Sequence, residues 1–292
     1  WIKRLALSLL AFVLLGTGST YLWLRSMGLY RTPIYDTQAP DLPELTRPAV
    51  LVFYKTNGYI HTEAIPAVNA LFQDLARAHG YSIYLTDNGA VINANDLKKF
   101  DAVIWNNNTG DVLTHDQQQA FQSWLENGGR WLGLHGASGD HFRWTWFVDE
   151  VIGAKFNAHS MTPPHPRAKL VLEQRSHPIL AGLPDSLWLT DELYSFSTPP
   201  RAKVSVLATL DENTYMDEQG LFADSLRMGD HPIIWWRKVG DGIAVYSGIG
   251  HRAETYAIPE YRRLLDNTLQ WLIDGTTIDS ACCNAAHTIE PR

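Results

Sequence analysis

From Ala49 to Leu134 the chain alternates short unbroken apolar runs with stretches of helical spacing, and this alternation restricts the fold more than any other feature. Ala49-Val50-Leu51-Val52-Phe53-Tyr54, bounded by Pro48 and Lys55, has no polar position to face water, so it suits a parallel strand covered on both sides. Glu63 to His79 carries Ile65, Val68, Leu71, Phe72 and Leu75 on one helical face and stops at Gly80, a residue that closes helices in the left-handed conformation. Tyr81 to Leu85 is a second strand, Asn95 to Phe100 a short helix and Ala102 to Trp105 a third strand. Thr114 opens a helix to Glu126, with Gln117 placed to complete a capping box and Gly128-Gly129 to end it, and Arg130 to Leu134 is a fourth strand. After Phe147 the pattern turns β-rich, around Lys169 to Leu172, Val204 to Leu210, Pro232 to Trp236 and Ile243 to Ser247, before an amphipathic helix from Pro259 to Ile273. The expected fold is a doubly wound, mostly parallel α/β sheet with a β-rich C-terminal extension, and ligands in such sheets sit at the carboxyl ends of the strands.

Ahead of this domain, Lys3 and Arg4 precede an apolar run from Leu5 to Leu24 that Arg25 closes. A run of about 20 apolar residues matches the bilayer core. Thr20-Tyr21-Leu22-Trp23-Leu24 continues it with bulky residues, so residues 1–25 read as an uncleaved signal anchor; a signal peptide cut near Ser19 is the alternative. Either reading places the domain outside the cytoplasm, at the membrane or in the periplasm, although Lys3 and Arg4 against Arg25 and Arg31 give only a small orienting bias. Pro33, Pro40, Pro43 and Pro48 mark residues 26–48 as an extended linker that spaces the domain off the membrane. The domain is expected over 49–275, followed by a polar tail, 276–292.

The net charge of −7 is spread without long like-charge runs, which argues against a nucleic-acid partner. Cys282 and Cys283 are the only cysteines and lie together in the tail, so the domain has neither a disulfide staple nor a thiol nucleophile. No Gly-x-Gly-x-x-Gly motif is present, and no nucleotide cofactor is expected. A homo-oligomer is left open.

Several strings follow one another in a characteristic order: Tyr54-Lys55-Thr56-Asn57-Gly58-Tyr59-Ile60-His61, Asn107-Asn108-Thr109-Gly110-Asp111, Gly133-Leu134-His135-Gly136-Ala137, His177-Pro178, Thr190-Asp191-Glu192-Leu193-Tyr194, Gly229-Asp230-His231-Pro232 and Tyr246-Ser247-Gly248-Ile249-Gly250-His251. Together they resemble the ThuA-like (trehalose utilisation) family over about Ala49 to Gly275. The resemblance implies a flavodoxin-like core of the class I glutamine amidotransferase type and a link to sugar metabolism. It also places Gly133-Leu134-His135 where amidotransferases of that fold carry Gly-x-Cys, so glutaminase chemistry is not expected. Ser138, in Gly136-Ala137-Ser138-Gly139, lies outside any Gly-x-Ser-x-Gly elbow.

His61 follows the first strand and His135 ends the fourth, which directs both to one crevice. His251 joins them on resemblance, with Glu192 or Asp191 as the carboxylate. These are the expected catalytic residues, and His61, His135, His251 and Glu192 are also candidate ligands of a divalent metal. The histidines are dispersed, without a His-Glu-x-x-His spacing, and hydrogen-bonded pocket-wall histidines are the ordinary alternative. Lys55, Thr56, Asn107, Thr109 and His159 are expected to hold hydroxyl groups of a small carbohydrate, with Trp144, Tyr194 and Tyr246 as platforms for its ring. Their alternatives are a solvated lysine, turn chemistry and core packing; Asp191 reads equally well as a turn cap, and Glu192 as the partner of an arginine. The functional expectation is action on a sugar or oxidised (3-keto) sugar without a cysteine nucleophile. The rival expectation is a non-catalytic carbohydrate-binding or interaction module held at the membrane.

Overall fold

The computed structural model describes residues 1–26, 32–138, 143–216 and 225–274, so both cysteines and the polar tail lie outside the described residues. It is a mixed α/β protein built on one nine-stranded sheet. In chain order the elements are α1 (Ile2–Ser26), β1 (Ala49–Phe53), α2 (Ala64–His79), β2 (Ser82–Thr86), α3 (Ala94–Leu97), β3 (Ala102–Asn106), α4 (His115–Glu126) and β4 (Arg130–Leu134). They continue as β5 (Phe156–His159), β6 (Arg167–Leu172), β7 (Ser186–Thr190), β8 (Tyr194–Phe196), β9 (Ser205–Leu210), β10 (Pro232–Val239), β11 (Gly242–Ser247) and α5 (Pro259–Asp274).

The sheet order is β2-β1-β3-β4-β11-β10-β9-β6-β7, and β5 pairs with β8 in a small second sheet. β2, β1, β3, β4 and β11 are parallel, whereas β10, β9, β6 and β7 each run antiparallel to their neighbours. Here the structure departs from expectation. Ile243 to Ser247, read as part of the C-terminal extension, is a core strand beside β4, and most of the extension continues the same sheet.

Alternation along β3 places helices on both faces. Trp105 packs against Phe121 of α4, while its neighbour Asn106 bonds Ile65 and Asn69 of α2. Trp105 is the centre of an aromatic cluster with Phe53, Phe121, Trp131 and Phe147, all fully buried. The expected caps form: Thr114 and Gln117 make the capping box, and Gly80 adopts φ 71° and donates to Ala76.

α1 is long and apolar enough to cross a membrane over Lys3–Ser26, with mean hydropathy 1.8 and no part of it buried. A signal sequence near an N-terminus has the same properties. Residues 32–48, expected as an extended spacer, form neither helix nor strand and lie along the domain. Ile34 exchanges backbone bonds with the Asn57 side chain, Asp36 pairs with Lys55 at 2.7 Å and accepts from Gly89, and Leu42 and Leu45 pack on the core. Apolar side chains between the prolines hold this strap down. Asp36→Ala is therefore expected to cost about 1–3 kcal/mol, because it strands the mostly buried Lys55 ammonium and the Gly89 amide. Thermal unfolding of the full chain in detergent checks this; an unchanged midpoint would show the strap is incidental.

Candidate active site

The site forms where three parallel strands end. β1 leads into a loop that returns His61 to the sheet edge; Asn57 and Gly58 donate to the Thr109 carbonyl, and the Thr109 hydroxyl donates to the Tyr59 carbonyl. His135 follows β4 directly with φ 44°, a left-handed conformation that a residue with a side chain adopts only when its surroundings enforce it. The Tyr246 hydroxyl donates to its carbonyl at 2.9 Å and also meets Ser138 at 2.6 Å. Gly136 lets these loops approach closely, since a Cβ there would lie 3.0 Å from both the His61 ring and the Thr109 methyl and would press on them. His251 follows β11 in a loop that Asp191 holds.

Asp191 and Glu192, adjacent after β7, point in opposite directions, as expected of extended backbone. Asp191 is fully buried and accepts from the amides of Glu192, Gly250, His251 and Arg252 at 2.8–3.3 Å. Its role is to fix the His251 loop rather than to face the crevice, and burial raises its pKa. Glu192 faces the histidines. Its Oε2 lies 3.1 Å from His135 Nε2 and 3.2 Å from His251 Nδ1, and its Oε1 lies 3.0 Å from His159 Nδ1. The His251 contact is close but not aligned as a hydrogen bond. Ring centroids of His61, His135 and His251 are 4.9–5.4 Å apart.

The cluster separates its titrating groups. Burial pushes the Glu192 pKa upward, but the neighbouring His135, His159 and His251 more than offset that and hold the carboxyl well below its usual range. His61 is held well below the usual histidine value by burial and by the adjacent imidazoles. His159 is raised by its bond to Glu192, and His251 is raised because Glu192 and Asp191 outweigh its burial. Burial thus works against a proton on His61, whereas Glu192 favours one on His159, which is 41% exposed at the rim. His61, His135, Glu192 and His251 are the one group of potential metal ligands among the described residues, with their donor atoms within 4.8 Å of one another.

Other expected residues distribute unevenly. Tyr194 lies against the His135 ring at 4.1 Å, and Thr109 and Asn107 line the backbone beneath His61 and Gly136. Thr56 is partly buried in the His61 loop. Lys55 is corrected: its ammonium is taken by Asp36 of the strap. Trp144 is corrected too, because it stacks on Phe147 and joins the Trp105 cluster. Tyr246 is buried scaffolding rather than a ring platform, since its hydroxyl supports His135. Two residues were not singled out. Tyr59 packs edge-on to His61 at 4.9 Å, and His165 lies 5.1 Å from His251. Tyr59 stands in the same string as His61, whereas His165, set among prolines, has no local signal.

Fold and site together define a mixed α/β protein with a histidine–carboxylate cluster at the carboxyl edge of its sheet. Residues 49–272 match the trehalose utilisation (ThuA) family, and the chain belongs to it. Among solved structures it is similar to a putative ThuA-like protein from Bacteroides uniformis, at 24% identity and TM-score 0.67, covering 80% of this chain and 95% of that one. It is also similar to a putative ThuA-like protein from Parabacteroides merdae, at 13% identity and TM-score 0.58, covering 80% and 92%. No curated protein matches the chain.

Proposed function

We propose that this protein is an enzyme acting on a sugar or oxidised (3-keto) sugar through its histidine–Glu192 cluster, without a cysteine nucleophile. The observation that carries the reading is the division of Glu192: one oxygen faces the inner imidazoles of His135 and His251, the other orients His159 at the rim. Titrating groups pushed apart within one site suit proton transfer better than passive recognition. In this reading His159 delivers a proton at the mouth, Glu192 aims it, and the neutral His61 offers a lone pair inside. Tyr194 backs His135, and Thr109 and Asn107 shape the floor. Trp144 is taken up in the Trp105 cluster and Tyr246 is buried, so neither supplies the aromatic shelf that a plain sugar binder would use. The family's connection to trehalose utilisation supports a carbohydrate substrate. We further propose that α1 anchors the domain at the membrane, on its extracytoplasmic side, with a doubly wound, flavodoxin-like core.

Thermal unfolding of the full chain with neutral sugars and with 3-keto-sugars tests the proposal. A ligand at a hundred times its Kd is expected to stabilise the fold by about 2.7 kcal/mol, Glu192→Gln to remove that shift, and the wild type to transform the bound sugar. No shift with any sugar would overturn the reading. A shift without turnover, retained in Glu192→Gln, would favour the binding module.

A further inference from the structure

We infer that His61, His135, Glu192 and His251 bind one divalent transition-metal ion of the zinc type. The inference concerns the same cluster but stands whatever the substrate is.

Proton accounting leads to it. His135 Nδ1 lies 2.9 Å from the Gly248 carbonyl oxygen, which only accepts, so that nitrogen carries hydrogen. In a neutral ring Nε2 is then a lone pair, yet its neighbour at 3.1 Å is Glu192 Oε2, which is also a lone-pair donor. A cation must lie between them. The same carboxylate oxygen is 3.2 Å from His251 Nδ1, a buried nitrogen with no hydrogen-bond partner among the described residues. His61 Nδ1 is likewise buried and without a partner among those residues.

Protons alone answer this poorly. They would place several imidazolium rings 4.9–5.4 Å apart around one carboxylate, at a site where the His135 side chain has no exposure. One dication lets every ring stay neutral and uses the lone pairs that have no partner. The spacing also suits it, because ligands at about 2.1 Å from a tetrahedral ion are roughly 3.4 Å apart. Two donor pairs here lie at 3.1 and 3.2 Å, and all four donors fall within 4.8 Å.

Around the donors stands the outer layer that such centres require. The Gly248 carbonyl fixes the His135 tautomer, His159 bonds the second oxygen of Glu192, and Asp191 locks the backbone that presents His251. Three imidazoles and one carboxylate suit zinc and its first-row neighbours rather than magnesium or calcium, which seek all-oxygen shells. By expanding to five-coordination, such an ion would act as a Lewis acid toward a hydroxyl or carbonyl oxygen.

The test uses the full chain purified in detergent without added metal. Elemental analysis is expected to find about one equivalent of a first-row transition metal per chain. Chelation should lower the thermal midpoint, and Zn²⁺ alone should restore it. Co²⁺ loaded into the stripped protein should give visible absorption bands of nitrogen-rich coordination. His61→Ala and Glu192→Gln should weaken Zn²⁺ binding at least about a hundredfold, whereas His79→Gln, outside the cluster, should leave it unchanged. Circular dichroism identifies any variant that fails to fold, in which case the wild-type Co²⁺ spectrum decides. Absence of stoichiometric metal together with no Co²⁺ bands and no Zn²⁺ shift would overturn the inference, as would full metal content in folded His61→Ala and Glu192→Gln. Metal binding without any sugar shift overturns only the proposed function; a sugar shift without metal overturns only this inference.

Discussion

Asp191→Ala is expected to lower the unfolding free energy by about 3–5 kcal/mol and to abolish ligand binding in the same step. The carboxylate is fully buried and receives four backbone amides, three of them from the consecutive residues Gly250, His251 and Arg252. Alanine leaves these donors in a dry interior, where each unsatisfied group costs about 1–3 kcal/mol before relaxation. Relaxation is what destroys the site, since the freed loop carries His251 away from Glu192. Asp191→Asn separates the two effects. Its carbonyl can keep the amides of Glu192, His251 and Arg252, but its amide group meets the Gly250 N–H donor to donor, so an intermediate loss is expected. Urea denaturation of the three proteins gives the series directly. An alanine variant within about 1 kcal/mol of wild type would show that the loop is held by something other than Asp191.

Much of this design was legible because it is local. The runs at β1, β3 and β4 have no polar face, and the helices between them carry their own caps at Thr114 and Gly80. That pattern, with the rule that ligands gather at strand ends, was enough to bring His61 and His135 together. What stayed hidden is non-local. Ile243 to Ser247 reads like any apolar strand, and only pairing with β4, far away in sequence, puts it in the parallel block. That placement in turn explains why His251 belongs with His135. Trp144 and Tyr246 look equally able to stack on a sugar or fill a core, because a ring carries no mark of the face it turns to. The prolines between residues 33 and 48 argue against a helix there, but they carry no sign that Asp36 would reach Lys55. For the pair Asp191-Glu192, sequence suggests only that the two side chains diverge if the segment is extended; which one meets the histidines depends on where β7 joins the sheet.

Metal-free protein is expected to be most stable near pH 6.5 and to lose stability steeply on the acid side. His61, His177 and His231 all have pKa values lowered by burial, that of His177 to about 4. Geometry explains why they resist protonation. His177 packs against Trp236 and Trp271, and its Nδ1 accepts from the Ile179 amide, a bond that a proton there would break. His231 is fully buried, with Nε2 donating to the Tyr194 carbonyl and Nδ1 beside the Tyr215 hydroxyl and Glu212. As pH falls below 6.5 the unfolded chain takes up protons at these positions and the folded one does not, so stability falls by up to about 1.4 kcal/mol per pH unit for each. His177 contributes less than this limit because it is partly exposed. The raised groups act in the opposite sense: His159 and His251 add stability that is fully present below 6.5 and is lost as pH rises through their folded values. Glu192, held low, adds a further acid-side loss only below about 4.5, where the unfolded carboxyl protonates. Urea midpoints of chelator-treated protein from pH 4.5 to 8.5 trace both limbs. His177→Gln should make the acid limb shallower and leave the alkaline limb unchanged, because glutamine takes up no proton in either state. An acid limb that is flat in the wild type, or just as steep in His177→Gln, would mean that these histidines titrate freely in the folded protein.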